Sequence, residues 1–142
     1  MRESRLRRSF FQDDKEELYE MKFGIGLAAA HPAVLGDVAV EADKLGFDSA
    51  WLPEHLVFPM DMSGTPLQND DHPPVPPTTP TFDVFAQLSY LAGRTKNIKL
   101  GTNVYLLGLR HPFIAARAIA TLDYLYGGRA LVGIGSGWLR QE

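Results

Sequence analysis

An alternation of two hydrophobic periods constrains this chain more than any other feature. Residues 22–27 (KFGIGL), 47–52 (FDSAWL), 97–105 (NIKLGTNVY) and 129–135 (RALVGIG) are short apolar runs of strand length. The segments between them repeat their apolar residues at helical spacing. One helix is predicted to open at His31-Pro32, where proline suits a first turn, and to stop at Gly46; Leu35, Val38, Ala39, Ala42 and Leu45 share a face. A second is predicted from a Thr81 cap to near Gly93, with Phe82, Phe85, Leu88, Leu91 and Ala92 inward. A third opens at His111-Pro112, buries Ala115, Ala118, Ile119, Leu122 and Leu125, and ends at Gly127-Gly128. The order β-α-β-α-β-α-β implies parallel strands joined by right-handed crossovers. Two architectures satisfy it: an open doubly wound sheet, or part of a (β/α)₈ barrel, which needs about 250 residues when complete. Nothing in the pattern closes a barrel at four strands.

The 142 residues suffice for one domain with its own core. A net charge of −3 offers no broad basic surface, so no nucleic-acid partner is expected. The absence of cysteine rules out a disulfide framework, a thiolate metal site and a cysteine nucleophile, and it fits a cytoplasmic setting. No apolar run approaches the roughly 20 residues that span a bilayer, so no membrane partner is expected. Residues 1–20 mix five basic with six acidic residues and lack an apolar core, which argues against a targeting peptide. They read as a flexible N-terminal extension, with the domain at 21–142 and Met21 a candidate start. Residues 53–80 hold eight of the ten prolines, which excludes helix through most of that stretch. A loop of this length is usually functional or disordered.

Ligands of parallel α/β folds sit at the carboxyl ends of the strands. That rule selects residues 28–31, 53–58, 103–109 and 135–138. Glu54-His55 follows the second strand, and a histidine beside a carboxylate suits proton transfer. The alternative is a loop histidine that only caps or hydrogen-bonds backbone. Gly133-Ile134-Gly135-Ser136-Gly137 ends the fourth strand. It is not GxGxxG, because Trp138 stands at the last glycine, and it is not a nucleophile elbow, because Gly135 adjoins Ser136. Its glycines still permit close backbone approach to a flat ligand. Trp138 either walls a pocket or packs against loops, and Asn103 either reaches a ligand or satisfies backbone. Glu54-His55, His72 and His111 lie on separate loops without metal-ligand spacing, so no metal is expected. Arg110 and Arg117 are expected to be solvated, and Asp83 and Asp123 to be surface or capping residues.

Five segments in register, MKFGIGL, LGFDSAWLPEHLVFP, the proline-rich insert, IKLGTNVYLLGLRHP and TLDYLYGGRALVGIGSGWLRQE, resemble the luciferase-like flavin-dependent family across residues 21–142. The branch of coenzyme F420-dependent oxidoreductases is the most similar; FMN-dependent monooxygenases of the same superfamily are the alternative. The resemblance implies the N-terminal half of a TIM barrel, with four parallel strands and three intervening helices. It implies hydride exchange with a small-molecule substrate at a deazaflavin or flavin ring in the barrel mouth. His55 and Glu54 match the family's catalytic pair, with Glu54 standing where aspartate is usual. Asn103 and Val104 match a cis peptide and bulge behind the ring; Gly135, Ser136 and Trp138 match the strand-four wall of the cofactor pocket. Two departures, Trp138 for a glutamate and Pro59 for a tryptophan, steer away from sugar-phosphate and alcohol substrates towards a bulkier, more apolar one. Family members run to about twice this length, a full barrel. The chain is therefore expected to be an N-terminal fragment, inactive alone, with unpaired first and fourth strands. Its expected partner is the missing C-terminal half or a second copy of itself, the latter also fitting the alternative of a non-catalytic half-barrel that self-associates.

Overall fold

The computed structural model describes residues 21–61 and 75–142. The expected N-terminal extension, His72 and part of the proline-rich loop lie outside the described residues. Strands β1 (Gly24–Gly26), β2 (Ser49–Leu52), β3 (Lys99–Tyr105) and β4 (Ala130–Ile134) alternate with helices α1 (Pro32–Lys44), α2 (Val84–Arg94) and α3 (Pro112–Leu125). A short 3₁₀ turn, Leu107–Leu109, follows β3.

All neighbouring strands are parallel, in the order β1-β2-β3-β4. This order decides between the two architectures. A doubly wound sheet reverses its strand order at a switch point, whereas sequential order keeps every right-handed crossover on one face, as a barrel wall does. The helices accordingly contact each other in sequence, α1 with α2 and α2 with α3. The core lies between them and the sheet: Leu35, Ala39, Leu88, Leu91 and Leu122 pack with Ala50, Leu52, Leu100 and Tyr105. The chain thus has the fold of the N-terminal half of a (β/α)₈ barrel.

The element ends have local causes. Helix α1 starts where the His31 Nδ1 accepts the Ala33 N–H at 3.2 Å, and Pro32 occupies the first turn. It ends in a Schellman arrangement: Gly46 adopts φ +82°, its N–H reaches the Asp43 carbonyl, and the Phe47 N–H reaches Ala42. Phe47 is spent on that cap, which is why β2 begins at Ser49. Asp83, not Thr81, caps α2 by accepting the Ala86 N–H at 2.9 Å; Thr81 instead donates to the Leu56 carbonyl and ties the insert back to the β2 exit. Leu45, Phe82 and Leu125 were expected in the core but are exposed: Leu45 and Phe82 lie outside their helices, and Leu125 is the last residue of α3.

Two polar side chains fasten the base of the sheet. The Asp43 carboxylate accepts the N–H groups of Lys96, Asn97 and Ile98 and so joins the end of α1 to the entry of β3. Arg129, just before β4, donates to the carbonyls of Ala92, Thr95, Ile98 and Tyr126 and to the Thr95 hydroxyl. Its planar fork thereby satisfies carbonyls left over at the C-terminus of α2.

The opposite sheet face carries no helix among the described residues. Trp51 lies across it. A Cβ at Gly24 or Gly101, on either side, would strike the indole, so those two glycines make room for the ring. The indole N–H donates to Ser49 Oγ at 2.9 Å.

Burial works to raise the Asp43 carboxyl pKa, but the three backbone donors and the Arg129 charge outweigh it and hold the group below its ordinary value. Its contribution is therefore complete above the unfolded aspartate pKa of about 3.9. It fades as pH falls through the lower folded value. Asp43→Ala is expected to cost about 1–2 kcal/mol at neutral pH, with the gap from the parent closing in strong acid, as read from urea midpoints across pH.

Candidate active site

The exits of the four strands gather at one end of the sheet. Between the exits of β1, β2 and β4 and the tail of the proline-rich loop lies a cavity of about 510 Å³. Leu27, Leu52, Phe58, Val75, Phe82 and Trp138 give it an apolar wall, and His55 contributes an imidazole. The Trp138 indole meets His55 edge-on at 5.4 Å between centroids, and the Phe58 ring is tilted against it at 4.7 Å. Trp138 therefore walls a pocket, the first of the two roles open to it.

Glu54 points elsewhere. Its side chain is 1% exposed and does not line the cavity. Oε2 accepts the Leu106 N–H at 2.8 Å, and Oε1 pairs with the Arg110 guanidinium. This corrects the expectation of a solvated Arg110, which lies ahead of α3 rather than on it. Arg117, on α3, is exposed as expected. Burial opposes the Arg110 charge, but the Glu54 carboxylate more than offsets it and raises the guanidinium pKa. The exits of β2 and β3 are thus bound by one buried carboxylate.

A second buried carboxylate binds the exits of β2 and β4. Glu142 Oε1 accepts the Leu56 N–H at 2.5 Å and lies 3.1 Å from His55 Nδ1. Its side chain is 2% exposed. Sequence reasoning missed Glu142, whose only signal is its spacing of four from Trp138, one helical turn beyond the glycine run.

Asn103, Val104, Gly135 and Ser136 form a separate group at the ends of β3 and β4. Thr102 pairs with Val132 and Tyr105 with Ile134, so Asn103 and Val104 together oppose Gly133, a bulge. The Asn103–Val104 peptide is cis, at the position the family resemblance implied. A Cβ at Gly133 would come within 2.5 Å of the Thr102 carbonyl oxygen, and one at Gly135 would collide with Val104. Bare backbone at both positions lets the two strand ends close up. Asn103 and Ser136 are left exposed on the resulting shelf, with Val104 half-buried. Among the described residues no cluster of histidine and acidic side chains could hold a metal ion, and no helix is long and apolar enough to cross a membrane.

The sequence model of the luciferase-like monooxygenase family matches residues 18–142. The chain belongs to that family. An F420-dependent glucose-6-phosphate dehydrogenase of Kineococcus radiotolerans is 35% identical over 108 residues, which cover 75% of this chain and 27% of the relative. The coenzyme F420-dependent tetrahydromethanopterin reductase of Methanopyrus kandleri superposes with a TM-score of 0.62 at 30% identity, covering 83% of this chain and 28% of that one. A type II Baeyer-Villiger monooxygenase of Pseudomonas putida, in complex with FMN, superposes with a TM-score of 0.63 at 24% identity over 86% and 31% of the two chains, a likeness of fold alone. The chain thus spans well under half the length of these proteins.

Glu54→Gln keeps the volume of the side chain but removes the charge facing Arg110. It is expected to lower stability by about 2 kcal/mol. The denaturant midpoint should fall at unchanged slope, and the near-ultraviolet signal of Trp138 should weaken as the β2 exit loosens.

Proposed function

We propose that this chain supplies the N-terminal part of a flavin- or deazaflavin-dependent oxidoreductase, with coenzyme F420 as the cofactor. The observation that carries the reading is His55. It is a proton-exchanging side chain on an apolar cavity at the strand exits, held between two aromatic rings, in a luciferase-like chain. The Kineococcus radiotolerans dehydrogenase and the Methanopyrus kandleri reductase, at 35% and 30% identity, are named as F420-dependent, whereas the FMN-bound likeness is of fold alone.

The shelf fits a flat ring. Gly135 offers no side chain, Val104 gives an apolar surface, and Asn103 and Ser136 supply hydrogen-bonding edges. When bound, such a cofactor supplies hydride transfer to or from a substrate carbon. The chain's own residues do the rest. Val104 and Gly135 back the ring, and Asn103 and Ser136 orient it. Trp138 and Phe58 exclude water, and His55 takes or gives the proton at the substrate oxygen. Glu54 acts from beneath by holding the β2 exit. The cavity volume is in the range of small-molecule sites, and its apolar wall supports a bulky apolar substrate. β1 and β4 are edge strands, and α3 and β4 expose Phe113, Ile114, Val132 and Ile134; a second copy or the C-terminal half of the barrel would cover them.

Titrating the complete gene product with F420 and with FMN, each followed by quenching of tryptophan fluorescence, tests the proposal. F420 should bind the more tightly. Gly135→Ala should weaken it by driving Val104 into the shelf. His55→Ala should leave the affinity nearly unchanged and slow cofactor reduction about 100-fold or more. Binding of neither cofactor would overturn the proposal, and an undiminished rate in His55→Ala would remove His55 from the chemistry.

A further inference from the structure

We propose that Glu142 is the positioning residue of the site: it fixes the tautomer and orientation of His55 so that Nε2 is the nitrogen that exchanges a proton. This rests on the reading of His55 as the proton-transfer group. One oxygen, Oε1, meets both the Leu56 N–H at 2.5 Å and His55 Nδ1 at 3.1 Å. The backbone N–H only donates, so the oxygen is acting as an acceptor. The imidazole nitrogen facing it must then be the one that carries hydrogen. In a neutral imidazole one nitrogen donates and the other accepts, so Nε2 keeps the lone pair.

The surroundings hold the arrangement. Glu142 grips the loop at two adjacent residues, through the main chain of Leu56 and the side chain of His55, so the ring cannot turn without breaking register with the backbone. Trp138 stands edge-on and Phe58 is tilted against the ring, which limits rotation further. The buried Leu139 anchors the segment, and the Glu142 N–H turns back onto the Leu139 carbonyl at 3.3 Å, which delivers the carboxylate to the ring. Glu54 cannot serve this purpose, since Leu106 and Arg110 already occupy its two oxygens.

The nitrogen resonances of His55 in the isotope-labelled chain, assigned with a His55→Gln variant, test this without any cofactor. The spectrum is recorded on the alkaline plateau, where the His55 resonances no longer move with pH. The parent should show the Nδ1–H form. Glu142→Ala should shift the ring to the Nε2–H form, and Glu142→Gln, which keeps an acceptor oxygen, should restore Nδ1–H. An Nε2–H ring in the parent would overturn the proposal, as would a folded Glu142→Ala variant that retains Nδ1–H. Should Glu142→Ala fail to fold, the parent and the glutamine variant still decide. Failure to bind F420 or FMN would defeat the redox reading alone and would leave this tautomer result unchanged.

Discussion

Two carboxylates buried at the strand exits hold the upper end of this sheet together, and the rest of the site depends on them. A buried charge without partners is costly, so each is tolerable only where donors converge on it. Glu54 finds the Leu106 N–H and Arg110; Glu142 finds the Leu56 N–H and His55. Glu54 locks β2 to β3, and Glu142 locks β2 to β4. The β2 exit is common to both contacts, so His55, one residue beyond Glu54, sits at the centre of a braced loop. The same constraint divides labour between neighbours in sequence. Glu54 faces into the protein and organises backbone, whereas His55 faces the cavity.

The sheet beneath is shaped for such a mouth. Its helix-bearing face is a conventional apolar core. Its other face is pared down to glycine wherever something must pass close: Gly24 and Gly101 beside the Trp51 indole, Gly133 against the Thr102 carbonyl, and Gly135 against Val104. At the far end, Asp43 and Arg129 fasten loops that carry no chemistry. The barrel segment is therefore rigid at its base and clear at its top, the arrangement that parallel α/β enzymes share.

Much of this was legible in the sequence, for physical reasons that also mark where legibility stops. Strand and helix periods depend on residues a few positions apart, so the four strands, three helices and their parallel order could be read directly. The glycine pairs at 127–128 and 133–135 announced a turn and a close approach. Long-range polar contacts were not legible. Arg110 reads as a solvated helix residue until folding brings Glu54 to it across 56 positions. Arg129 reads as the first residue of a strand, yet its partners lie mostly 31 to 37 positions earlier. Glu142 reads as an unremarked polar residue, because its two contacts reach back 86 and 87 positions. The family resemblance pointed to His55 and to the bulge at Asn103-Val104, but not to the second carboxylate beside the histidine.

Amide hydrogen exchange of the folded chain at Leu56 and Leu106 tests the bracing most directly, because those two N–H groups are the ones the buried carboxylates accept. Both lie in loops outside any ladder. Bracing predicts that they exchange as slowly as Leu100, which donates within the sheet to the Arg129 carbonyl. Exchange as fast as at the exposed neighbour Val57 would contradict the account, since it would leave the strand exits, and His55 with them, unfastened.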